Sequence, residues 1–121
     1  HSVSQATTFV QRAGIAAIQG PQHEVAAMVA EFKARRDLLI EGLNDLGIPC
    51  SMPGGAFYAF PNVSELGGGD AFTDRLLKDA LIAATPGSAF GTGGADYVRL
   101  SYATSQARIK QALERIEMIA K

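Results

Sequence analysis

Apolar residues recur every three or four positions in four stretches of this chain and every second position in the short runs between them. That pattern predicts helices interspersed with strands. From Ser4 to Ile18, Phe9, Ala13, Ala16 and Ala17 mark a first helix whose small residues suit close packing against a neighbour. Gly20-Pro21 breaks it, and Pro21 opens a second helix, where a first-turn residue needs no amide hydrogen. This helix runs to Leu46. It carries Val25, Met28, Val29, Phe32, Leu39, Leu43 and Leu46 on one stripe and Glu31, Lys33, Arg35 and Asp37 off it, and Gly47 closes it in the left-handed conformation. Ile48–Met52 and Ala56–Phe60 read as an antiparallel pair around a Pro53-Gly54-Gly55 turn. After a loop tipped by the flexible run Gly67-Gly68-Gly69, Asp70 is expected to cap a helix to about Ala80 that packs Phe72, Leu76 and Leu77. Leu81–Thr85 predicts a third strand, closed by Pro86-Gly87, and Tyr97–Ala103 a fourth. Ser105 caps a last helix striped by Ile109, Ala112, Leu113, Ile116 and Ile119. The mixed order predicts an α+β fold: a small, mainly antiparallel sheet of three to four strands with helices packed on one face, in one domain over 1–121.

Composition narrows the function classes. The 121 residues carry a net charge of −1, so there is no basic footprint for nucleic acid or an anionic membrane. No apolar run approaches the roughly 20 residues needed to span a bilayer. Cys50 stands alone, which excludes an intrachain disulfide and a cysteine-rich zinc site and fits a cytoplasmic setting. His1 and His23 lack metal-ligand spacing and are expected at the surface. The chain opens without Met inside a helical segment, so it is expected to be part of a longer protein.

The candidate chemistry centres on Arg99. Alternation through Tyr97–Ala103 puts Val98, Leu100 and Tyr102 on one face and Tyr97, Arg99 and Ser101 on the other. A guanidinium on the open face of a strand can grip a planar carboxylate with two parallel hydrogen bonds, or it can be a solvated or internally paired arginine. Other motifs carry less. Gly67–Gly69 lacks the Lys-Ser/Thr of a phosphate loop, and Phe90-Gly91-Thr92-Gly93-Gly94 leads into a strand where a dinucleotide fingerprint needs a helix. Ser88, Ser101 and Ser105 have no histidine partner at recognisable spacing, and Glu114 and Glu117 belong to a solvated helix face.

Three stretches in register are similar to the C-terminal small domain of class I pyridoxal-phosphate aminotransferases, the aspartate aminotransferase branch of fold type I. They are Pro53-Gly54-Gly55-Ala56-Phe57-Tyr58-Ala59-Phe60-Pro61, Thr85-Pro86-Gly87-Ser88-Ala89-Phe90-Gly91, and Tyr97-Val98-Arg99-Leu100-Ser101-Tyr102-Ala103. Ser2-Val3-Ser4-Gln5, Gly20-Pro21 and Arg35-Arg36-Asp37 extend the likeness over nearly the whole chain. The resemblance implies that Arg99 grips the α-carboxylate of an amino-acid substrate. It places Phe57 at the active-site edge, where a plain core residue is the competing reading. It places Ser4 and Gln5 near a partner subunit's cofactor, although relatives usually read Ser-Asn-Pro where this chain has Ser4-Gln5-Ala6.

The resemblance also implies pyridoxal 5'-phosphate in the intact parent, a large cofactor-binding domain as partner, a homodimer, and amino acids with 2-oxo acids as substrates. Lys33, Lys78, Lys110 and Lys121 all lie on helices or at the terminus, so the family's Schiff-base lysine is expected outside this chain. The chain alone should then bind no cofactor and be inactive. The alternative is a stand-alone α+β amino-acid-binding or interaction module without catalysis, which would bind its ligand with no cofactor present.

Overall fold

The computed structural model describes residues 22–51 and 57–120; the expected first helix, the Gly20-Pro21 break and the Pro53-Gly54-Gly55 turn lie outside them. Helix α1 spans Gln22–Asp45, β1 Tyr58–Ala59, α2 Gly69–Ala80, β2 Thr85–Pro86, β3 Val98–Ser101 and α3 Gln106–Ala120. The three strands form one antiparallel sheet in the order β1-β3-β2. Tyr58 pairs with Ser101, Ala59 with Leu100, Thr85 with Arg99 and Pro86 with Val98. The fold is therefore the α+β arrangement the pattern predicts, with the last strand in the centre.

Alternation decides which side of the sheet is core. Val98, Leu100 and Tyr102 from β3 and its continuation, with Ala59 from β1, are buried among Leu39, Ile40 and Leu43 of α1, Phe72 and Leu76 of α2, and Ile109 and Ile116 of α3. Each fully buried Val or Leu is worth about 1.5–3 kcal/mol. The helices also hold one another. Glu31 of α1 accepts hydrogen bonds from Gln106 at the start of α3 (3.1 and 3.2 Å) while pairing with Arg35 (3.0 Å), and Arg75 of α2 donates to the Ile119 carbonyl of α3. Ser105 caps α3 as expected, its Oγ accepting from the Arg108 amide (3.2 Å).

The structure departs from the pattern at several places. Ile48–Ser51 is not a strand, because the Asn44 side chain takes both backbone groups of Cys50, accepting from its amide (3.1 Å) and donating to its carbonyl (2.9 Å). The Gly67–Gly69 run is not a free tip. The Gly69 amide donates to the Ala95 carbonyl (2.8 Å), and a Cβ there would stand 2.3 Å from the Tyr97 carbonyl oxygen, so only glycine lets these backbones meet. Asp70 is not the N-cap: Gly68 precedes the helix without a side-chain cap, and Asp70 lies in the first turn, where the helix dipole favours its charge. Val29 and Leu77, expected in the core, are 48% and 57% exposed, since the buried positions of α1 begin only at Leu39 and α2 meets the core through Phe72 and Leu76.

The third expected strand is reduced to Thr85–Pro86 because α2 ends in a left-handed turn at Leu81 (φ 57°), whose amide and that of Ile82 both return to the Leu76 carbonyl. Leu81 is 74% exposed, so its side chain earns little there. Left-handed backbone costs an L-residue about 1–2 kcal/mol. Leu81→Gly should therefore raise stability by about 1 kcal/mol, read as a higher urea midpoint at unchanged slope. A lower midpoint would contradict the strain.

Candidate functional site

The site is built on the face of the sheet that the core leaves open. Because Val98 and Leu100 point inward, Arg99 between them must point outward, and it is half-buried. Ala59 is fully buried, so Tyr58 and Phe60 on either side of it turn to the same face as Arg99. The Tyr58 ring centroid lies 4.3 Å from the Arg99 Cζ. On the other flank, past β2, the Gly87–Phe90 turn carries Phe90, whose ring centroid lies 4.5 Å from the same carbon. Two rings thus hold the guanidinium by cation–π attraction, each worth about 0.5–2 kcal/mol according to desolvation.

The polar contacts of Arg99 are sparse. Its Nη2 donates to Thr85 Oγ1 at 3.5 Å, the outer limit of a hydrogen bond, and no carboxylate pairs with it among the described residues. Most of its N–H donors remain for a ligand. A guanidinium in this state can accept a planar carboxylate through two parallel hydrogen bonds.

The backbone around the aromatic turn is tightly set. The Gly87 amide donates to the Tyr97 carbonyl (2.7 Å), and a Cβ on Gly87 would meet the Gly94 carbonyl oxygen at 2.2 Å. Ser88 Oγ donates to Asp70 Oδ1 (2.6 Å), tying the turn to the first turn of α2. Phe90 also lines a shallow apolar cleft with Phe60 and Tyr97, floored by Gly87, Gly93 and Gly94. A larger groove, about 450 Å³, lies between Leu81–Ala83 and the Arg108–Arg115 face of α3, and Arg99 does not line it.

Of the residues singled out in the sequence, the structure places Arg99 on the open face and Phe57 on the core side. Phe57 packs against Phe32 (centroids 4.6 Å apart) and Tyr102 (6.3 Å), not beside Arg99. Ser4 and Gln5 lie outside the described residues. The sequence reading missed Tyr58 and Phe90 as the flanks of Arg99. Strand alternation about Ala59 could have found Tyr58. No periodicity signals Phe90, which sits on a 3₁₀ turn.

Lys33 and Lys110 are exposed on helices, and Lys78 pairs with Asp74 (2.9 Å), whose hydrogen bond raises the ammonium pKa and keeps it protonated. Among the described residues no group of histidine, cysteine and acidic side chains could hold a metal, and no helix is long and apolar enough to cross a membrane.

The chain belongs to the aminotransferase class I and II family, whose model matches residues 1–116. It is 45% identical over 119 residues to a probable aspartate aminotransferase of Methanocaldococcus jannaschii, covering 98% of this chain and 31% of that protein. Its fold is similar to the aspartate aminotransferase of Rhizobium meliloti (TM-score 0.78, 39% identity, 88% of this chain and 29% of that one). It is also similar to the aspartate aminotransferase of Thermus thermophilus solved with maleate (TM-score 0.74, 36% identity, 81% and 25%). The chain thus spans less than a third of the length of these relatives.

Cys50 is the one free thiol, and burial pushes its pKa up despite a hydrogen bond from the Phe60 amide. It is a core residue, not a nucleophile. At pH 8 it should label slowly with an aromatic disulfide reagent and rapidly once urea unfolds the protein; equal rates in both conditions would contradict its burial.

Proposed function

We propose that this chain is the substrate-carboxylate-binding C-terminal domain of a pyridoxal-phosphate-dependent aminotransferase. The observation that carries the reading is the state of Arg99: half-buried, held by two aromatic rings, and free of any described carboxylate. A buried-edge arginine without an internal counter-ion is costly unless a ligand supplies the charge. The likeness to an enzyme solved with maleate, a dicarboxylate, supports the same role.

The residues present do not fit a covalent anchor for the cofactor, so its chemistry belongs to the rest of the longer protein. There the cofactor serves as the electron sink for bonds at the substrate's α-carbon. The part of this chain is to bind and to orient. By fixing the α-carboxylate, Arg99 fixes where the Cα–H bond points, and this positioning is itself a contribution to rate. The Ser4 and Gln5 edge, the homodimer, the large partner domain and a cytoplasmic setting come with the same reading and rest on the family resemblance; Phe57, packed on the core side, does not. Amino acids and 2-oxo acids are its substrates.

In the full-length enzyme, Arg99→Ala should lower kcat/KM by about 2–5 kcal/mol of transition-state binding, the cost of losing one partner of a bidentate charge pair. An unchanged kcat/KM would remove Arg99 from the site. The isolated chain supplied with pyridoxal phosphate should show no transamination. Turnover from it alone would refute the assignment of the lysine to the remainder of the protein.

A further inference from the structure

The two rings beside Arg99 do more than stabilise its charge. Tyr58 comes from β1 and Phe90 from the turn after β2, on opposite flanks of the central strand. Their centroids are 4.3 and 4.5 Å from Cζ. An atom inserted between a ring and the guanidinium would need about 7 Å, two van der Waals contacts in series. No ligand atom therefore fits between the guanidinium and either ring. A ligand must meet the N–H groups that the two rings leave open.

Such a site has a shape preference. A carboxylate is planar, and its two oxygens lie in the plane of the guanidinium with nothing protruding. A sulfonate or phosphonate carries a third oxygen out of that plane. With two oxygens seated on the N–H groups, the third is driven against a ring, whose π face repels negative charge. We propose that Tyr58 and Phe90 are positioning residues that make Arg99 selective for planar carboxylates over tetrahedral oxyanions. This rests on the reading of Arg99 as the carboxylate receptor and deepens it. The tie from Ser88 Oγ to Asp70 (2.6 Å) and the bond from the Gly87 amide to Tyr97 (2.7 Å) keep the Phe90 wall from swinging out. Phe90 is 55% exposed, so its ring is not there to fill the core.

The test uses the full-length enzyme and two monoanions of equal skeleton, propanoate and ethanesulfonate, as competitive inhibitors. The readout is the ratio of their inhibition constants in each preparation, which a change in the folded fraction does not move. The unaltered enzyme should favour propanoate. Phe90→Leu and Tyr58→Leu, which keep an apolar side chain but remove the ring, should narrow the ratio by about 3- to 30-fold, by removing the π face that only the third oxygen of ethanesulfonate meets. Phe90→Tyr and Tyr58→Phe, which keep the ring, should retain the original ratio. Arg99→Ala should abolish competition by both anions. If the leucine variants keep the original ratio while Arg99→Ala abolishes competition, the walls are not selective and the inference falls with the Arg99 assignment intact. If both anions still compete in Arg99→Ala, the assignment of Arg99 itself is wrong.

Discussion

An arginine in the middle strand of a three-stranded sheet has one direction open to it. Val98 and Leu100 are committed to the core, so the residue between them is committed to the opposite face. A slip of one residue would bury the guanidinium and expose both apolar side chains, losing several kcal/mol of burial and adding an unpaired buried charge. The core therefore holds Arg99 in place more firmly than any contact of its own. β1 and β2 then determine its neighbours. Because β3 lies between them, Tyr58 reaches Arg99 from one side and the chain leaving β2 brings Phe90 from the other.

The open face of the sheet carries a distinct set of side chains. It presents a cation with no carboxylate partner among the described residues, two aromatic neighbours and a shallow apolar cleft. The chain belongs to the aminotransferase class I and II family and spans 31% of one relative's length.

Much of this was legible in the sequence, and the rest was not for physical reasons. The long helix, the Ser105 cap, the left-handed Gly47 and the two faces of β3 follow from local rules of period and capping, and all are present. Local rules failed where a tertiary contact outbid them. Asn44 satisfies the backbone at Cys50 and removes the need for a strand there. Gly69 reads as part of a flexible tip and Gly87 as a turn that closes a strand, yet each marks a backbone-to-backbone approach that any side chain would block. Arg99 was visible because alternation exposes it. Its aromatic flanks were less so: Tyr58 depends on which face of β1 is core, and Phe90 on where a short 3₁₀ turn delivers its last residue.

The most direct measurement is a crystal structure of the full-length enzyme with a bound 2-oxo acid. The account predicts both oxygens of the ligand's α-carboxylate about 3 Å from N–H groups of Arg99, lying in the guanidinium plane between the rings of Tyr58 and Phe90. A ligand carboxylate held by a different cation, with Arg99 paired to a carboxylate of the protein itself, would contradict it.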